Sequence, residues 1–301
     1  MENAFIMTRS RKEKVIGKIF FSLALISLVA LVLIVFFLFR EGLPIFAKIS
    51  PSGFLFGIEW YPTSDPASFG IWPLIVGSLV VTLAATTIAV PLGILAAVYV
   101  AEVAHPAVKD VFKSLIELLA GLPSVVFGFF GMVIIAPWLQ DTFDLPTGLN
   151  IVNASLILAL MAIPTIASLS EDALYAVPRE FKEASFALGA TRFETIAQVT
   201  IPAALSGIAT AVILGMARVT GETMVVLMVA GGAAALPRSI FDSVRPMPAS
   251  IAAEMGEAPF GGDHYHALFA IGIVLFILTL LFSLVADYVA NKFKEVGSGT
   301  L

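Results

Sequence analysis

Hydrophobic residues in this chain come in runs rather than in alternation, and the runs are too long for buried strands. The first, Ile19–Phe39, is an uncharged stretch of 21 residues that would extend roughly 31 Å as a helix, enough for a bilayer core. Comparable stretches follow at about 70–101, 111–137, 151–177, 203–236 and 266–290. The pattern predicts an all-α, polytopic membrane protein with six transmembrane helices. The first run follows "RSRKEK" and ends in "FREGLP". It is longer than the roughly 7–15 residues of a signal-peptide core and is expected to be a retained helix.

Composition agrees with that class. Apolar residues make up 59% of the chain and charged residues 13%, against about half and a quarter in soluble domains. There is no cysteine, which excludes disulfides, thiol nucleophiles and thiolate metal sites. His105, His264 and His266 are too few and scattered to suggest a metal centre. "HYH" at 264–266 is expected at the membrane interface, with Tyr265 as an anchor.

The net charge of −5 matters less than where the charges fall. Arg9, Arg11, Lys12, Lys14 and Lys18 precede the first span, and Lys109, Lys113, Arg179, Lys182, Arg192, Lys292 and Lys294 fall on the same side of a six-span layout. Only Arg40, Lys48, Arg238 and Arg245 fall opposite, so both termini are expected in the cytoplasm. The chain then divides into a basic arm (1–18), a first span with its outer loop (19–69), a main membrane unit (70–290) and a cytoplasmic tail (291–301). The outer loops are too short for separate domains. No nucleic-acid partner is expected; membrane lipid is.

Within the main unit, the cytoplasmic loop 178–202 reads "PREFKEASFALGATRFETIAQVTIP". Pro178 suits a first helical turn, and Phe181, Ala184 and Leu188 recur at helical spacing. Gly189 is a natural stop able to take the left-handed conformation. "TRFE" then has the capping-box form, Thr191 capping a new helix while Glu194 reaches back. Two short amphipathic helices bent about a glycine are expected, either resting on lipid headgroups or docking a partner.

The fifth span carries Arg218 and Glu222 into an otherwise apolar run. Such charges are costly in a bilayer and are expected to face protein or water. Gly207, Ala211 and Gly215 form a small-residue ridge for close helix packing, in the same broad sector as the two charges. One reading is a neutralising i, i+4 ion pair. The other is an anion pathway, in which Arg218 offers a forked donor to a tetrahedral oxyanion and Glu222 holds it and moderates its field. In the third span, Gly121, Ser124, Gly128 and Gly131 share a face suited to close packing, and Pro123 and Pro164 are expected to kink their helices. Glu254 and Glu257 sit on a short alanine-rich piece of the last outer loop, either simply solvated or serving as a gate or docking surface for a binding protein.

Glu183, Ala184, Ser185, Gly189, Val199, Ile201 and Pro202 stand in the register E-A-A, three residues, G, nine residues, then aliphatic, any residue, aliphatic, P. Ser185 replaces the second alanine and Val199 the usual isoleucine. The loop resembles the coupling helix of ATP-binding-cassette (ABC) importer permeases. The resemblance implies a type I importer permease fold and docking of this loop on a separate ATPase dimer, with Glu183 meeting a basic or polar patch and Lys182 and Arg192 at the rim. The chain has no G-x-x-x-x-G-K-[ST] phosphate loop. ATP and Mg would therefore be held by the partner, no cofactor by this chain, and the chain is not expected to be an enzyme.

The segments "IELLAGLPSVVFGFFG", "GMARVTGETMVVLMVAGG" and "MPASIAAEMGEAPFGGDHYHALFAIG" further resemble phosphate-specific permeases of the Pst type, in their PstC-like subunit. That resemblance covers most of residues 69–290. It implies phosphate as substrate, Arg218 and Glu222 in its movement, a second homologous permease and an extracytoplasmic phosphate-binding protein. Sulfate or molybdate import, and less readily ATP-independent secondary transport, are the alternatives from the residues themselves.

Overall fold

The computed structural model describes residues 2–297, with side chains described from Lys14 to Tyr288 apart from Ala286. The side chains of Arg9, Arg11 and Lys12 in the basic arm and of Lys292 and Lys294 in the tail lie outside the described residues, as do residues 298–301. The chain opens with α1 (Glu2–Gly42), a 3₁₀ turn, α2 (Pro51–Phe56) and an antiparallel hairpin of β1 (Trp60–Tyr61) and β2 (Ser68–Phe69). Next come α3 (Trp72–Val98), running on into a π-helical turn Tyr99–Val103, α4 (Pro106–Gly121), α5 (Ser124–Phe130), a π-helical turn Gly131–Ile135, and α6 (Ala136–Phe143). The second half holds α7 (Ile151–Tyr175), α8 (Arg179–Ala187), α9 (Arg192–Thr195), a π-helical turn Ile196–Thr200, α10 (Ile201–Ala203) and α11 (Leu205–Thr220). It ends with α12 (Met224–Val229), α13 (Met247–Glu254) and α14 (Asp263–Gly297).

Among the described residues, five helical stretches are long and apolar enough to cross a membrane: Lys14–Ala47, Trp72–Val103, Ser124–Phe143, Ile151–Tyr175 and Asp263–Val285. A sixth exists if Arg192–Ala203 and Leu205–Thr220, bent by 69°, form one span. The all-α reading stands, apart from the two-residue strands of the hairpin.

Two of the expected spans have different limits. The third does not start at 111. Leu122 and Pro123 are both extended, with ψ near 136° and 139°, because proline disfavours helix in the residue before it. The break leaves α4 as a separate amphipathic helix with no buried residue. By contrast α7 runs through Pro164 as one helix. The fifth span ends at Thr220, not 236. Beyond α12, Gly231 and Gly232 have φ of +91° and +75°. A Cβ on Gly231 would lie 2.4 Å from the Leu149 carbonyl, so only glycine fits that approach. The chain then folds back. Val244 N–H bonds the Ala230 carbonyl, and α13 buries Met247, Pro248, Ala249 and Ser250. Residues expected as a solvated outer loop are thus partly packed inside the bundle.

The core centres on α7. Ala154, Leu158, Met161, Ala162 and Ile166 pack with Val81, Ala85 and Ala89 of α3. Glycines bring α3 and α11 in close: a Cβ on Gly93 or Gly215 would fall 2.8 or 2.5 Å from the Ile166 side chain, and one on Gly207 would fall 2.5 Å from Ala173. The Gly207–Ala211–Gly215 ridge therefore packs on α7. In the third span the packing role holds for Gly128, against Met228, and Gly131, against Ile157 and Val229; Gly121 faces open space. The apolar sides of α1 stay exposed over most of its length, as surface for lipid requires.

Candidate functional site

Three polar regions lie along the axis of the bundle. The middle one is the break between α11 and α12. Arg218 sits in the last turn of α11, where a cation complements the helix C-terminus, and it is exposed. Glu222 lies past the helix end. Its carboxylate accepts from the backbone N–H groups of Met224 (3.1 Å) and Val225 (3.2 Å), and so caps α12. Among the described residues no ion pair joins Arg218 to Glu222. Of the two readings, the i, i+4 ion pair is therefore not formed, because Gly221 ends the helix between them. Each charge instead complements one end of a discontinuous helix. Glu222 also faces a narrow cleft with Ser78, Thr82, Thr220, Pro246 and Pro248.

The second region is the elbow of α8 and α9. Gly189 turns it with φ +85°. Thr191 Oγ1 accepts from Glu194 N–H, and Glu194 Oε2 accepts from Thr191 N–H at 2.8 Å, completing the capping box. Pro178 stands one residue earlier than expected, as the cap before Arg179. Ser185 Oγ lies 2.9 Å from Thr195 Oγ1 in a buried contact that stitches the two helices together. The departure from alanine at 185 thus has a local use. The elbow's tip is apolar and open: Leu188 is 89% exposed and Phe193 78%, with Glu183 and Ala184 also exposed. Pro202 lies in α10, just before the bend into α11.

Lys182 and Arg192, expected at the rim of a partner contact, both bond Glu102 within the chain. Lys182 Nζ donates to Glu102 Oε1 at 2.5 Å, and the Arg192 guanidinium donates to the Glu102 carbonyl. Glu102 is one of the last residues of the helix begun by α3, so its carbonyl lacks an intrahelical partner. Beside it, Lys109 lies 3.9 Å over the Tyr175 ring and Tyr99 packs edge-on to Phe112.

The third region, towards the start of α3, centres on Glu254. Its carboxylate accepts from Trp60 Nε1 (3.0 and 3.1 Å), Arg245 Nη1 (2.6 Å) and His264 Nε2 (2.8 Å). The contact with a carboxylate assigns a proton to that histidine nitrogen. Arg245 Nε also donates to the Gly232 carbonyl at 2.7 Å. The group thus joins the hairpin, the returning loop, α13 and α14. It borders a cavity of about 460 Å³ that Tyr61 and Glu257 also line. Sequence reasoning singled out Glu254 but missed Trp60, Arg245 and His264 as its partners; no local spacing links position 60 to 254. Tyr265 is buried against Phe260 and Phe269 rather than anchored at an interface. His266 bonds the Glu41 carbonyl, away from His264's partner.

A family model described as binding-protein-dependent transport system inner membrane component matches residues 89–295. The chain is 39% identical over 273 residues to the probable ABC transporter permease protein YqgH of Bacillus subtilis (strain 168), covering 90% of this chain and 88% of that protein. It is 33% identical over 259 residues to the phosphate transport system permease protein PstC of Mesorhizobium japonicum, covering 79% and 78%. The PstC of Haemophilus influenzae is 31% identical, over 80% and 82%. Among solved structures, an inward-facing MetNI methionine ABC transporter aligns at TM-score 0.55 and 21% identity, over 74% of this chain and 94% of that one. A bacterial ABC transporter that imports alginate aligns at 0.56 and 14%, over 73% and 78%. Both structural likenesses are to the fold.

Proposed function

Because this chain belongs to the family of binding-protein-dependent transport system inner membrane components, we propose that it is the phosphate-translocating permease of an ATP-driven importer. The observation that carries the substrate is the 31–33% identity, over about four-fifths of the chain, to permeases named for phosphate transport. The break at Arg218 and Glu222 is chemically suited to it. A guanidinium at a helix end is a permanent, forked donor for a phosphate oxygen. A phosphate that keeps a proton near neutral pH can donate it to a carboxylate; sulfate cannot. Glu222, spent partly on capping α12, shapes the site beside Arg218 rather than neutralising it.

The geometry of the elbow supports the ATPase partner in this reading. Its bare apolar tip, with Glu183 alongside, offers half of an interface to an ATPase dimer that holds ATP and Mg. A second, homologous permease completes the pathway, and an extracytoplasmic phosphate-binding protein delivers the ion to the outer region around Glu254 and Glu257. Both termini lie in the cytoplasm. Closure of the ATPases moves the elbow, and the pathway alternates between outward and inward access.

The test is uptake of labelled phosphate by cells that depend on this chain, with labelled sulfate as control. Arg218→Ala at matched membrane abundance is expected to lower phosphate uptake by roughly a hundredfold, the scale of losing a charge-assisted contact, and to leave sulfate entry unchanged. Normal phosphate uptake by the variant would make Arg218 structural. Uptake of sulfate or molybdate, but not phosphate, through the native chain would remove the substrate assignment and leave the importer.

A further inference from the structure

We infer that α3 is the rod that carries motion from the cytoplasmic elbow to the outer re-entrant segment, and that Glu102 is the positioning residue joining elbow to rod. This rests on the proposed docking of an ATPase at the elbow.

Both arms of the elbow bond one residue outside it. Lys182 comes from α8 and Arg192 from α9, and both bond Glu102, one through its carboxylate and one through its carbonyl. Glu102 and Lys182 are largely buried, at 12% and 23% side-chain exposure, so their attraction is little screened. An acidic side chain in the last turn of a helix opposes the helix dipole. Helix formation alone therefore disfavours glutamate here, and its bond to Lys182 supplies what offsets that cost. The second cation, Arg192, occupies a position the dipole favours.

From Glu102 the helix runs unbroken through Pro91 to Trp72, a stretch of roughly 48 Å. At its other end Ser78 Oγ accepts from the Met247 N–H, the first residue of α13, at 2.8 Å. A Cβ on neighbouring Gly77 would fall 3.3 Å from the Val244 side chain. The same end of α3 lines the cleft facing Glu222. Displacement of the elbow thus reaches, through one packed helix, both the start of the segment carrying Glu254 and the side of the membrane break.

The experiment uses the whole transport system in membranes, with the tagged chain purified to count bound ATPase. Glu102→Ala is expected to keep the ATPase bound and hydrolysing while phosphate uptake per ATP falls about tenfold, within the usual range of site-to-site coupling. Exchanging the charges, Glu102→Lys with Lys182→Glu, is expected to recover most of that ratio, as a charge pair between the two positions requires. Should Glu102→Ala fail to accumulate, Glu102→Gln gives the same readout with the side-chain shape kept. An unchanged uptake-to-ATP ratio would overturn the relay. So would loss of bound ATPase in step with uptake, since Glu102 would then only shape the docking surface. Leu188→Asp separates the underlying reading: if it leaves ATPase binding intact, the elbow is not the dock and the relay has no input.

Discussion

The elbow and the cap around Glu254 stand at opposite ends of α3, and they use polar residues in opposite ways. The elbow is held from within by contacts between near neighbours, Thr191 with Glu194 and Ser185 with Thr195, and it turns Leu188 and Phe193 outward. The cap draws Trp60, Arg245 and His264 onto Glu254 from separate parts of the chain and leaves little of that carboxylate exposed. A surface suited to docking, as proposed for the elbow, keeps its apolar atoms free. A lid made to hold segments together satisfies its charges inside itself. The elbow is therefore visible as a motif, and the cap only as a constellation.

The strongest way to break this contrast is Glu254→Ala. It leaves Arg245, His264 and the Trp60 N–H without their shared acceptor. Removing one partner of a mostly buried, charged group costs about 3 kcal/mol, allowing for Arg245's partial exposure. The melting temperature of the detergent-solubilised protein should fall by roughly 5–10 °C, with altered Trp60 fluorescence. An unchanged melting curve would mean the cap is held by packing alone.

Leu188→Asp should do the reverse at the other end. Melting should be unchanged, because the side chain touches little of its own chain. ATPase recovered with the tagged protein should fall about tenfold, as for loss of an apolar anchor at an interface. Loss of fold stability without loss of ATPase would invert the comparison.

The smallest effect is expected at Asp242, in the loop leading to the cap. The backbone N–H groups of Arg238 (2.6 Å) and Ser239 (2.9 Å) donate to its carboxylate and hold its pKa below the ordinary aspartate value. A depressed pKa means the stabilisation is complete above the unfolded value of about 4 and fades as pH falls through the lower folded value. Hydrogen exchange at residues 238–242 should therefore be indifferent to protonation of Asp242 near neutral pH. It should quicken in Asp242→Ala, with the rest of the chain unaffected. Quickening spread through α13 would show that this loop, and not Glu254, secures the cap.

The membrane class, the helical spans and the bent elbow were legible in the residues themselves. Hydrophobic run length decides what a bilayer accepts, and Gly189, Thr191 and Glu194 act over one turn. Arg218 and Glu222 were conspicuous for the same local reason, since charge in an apolar run is costly wherever the chain goes. What they touch was not legible. A helix continued through Gly221 would have paired them; the packing of α11, α12 and the returning segment ended it there and gave each charge its own helix end. Glu254 and Glu102 belong wholly to the tertiary structure. Their partners lie as far as 194 and 90 positions away, and helical periodicity and capping carry no information beyond a few residues. The packing of Trp60, Phe69, Leu74, Met247 and Leu268 in one apolar cluster draws the partners of Glu254 together, and that of Ala97, Leu174, Val177, Ala204 and Ile208 in another brings the elbow to Glu102.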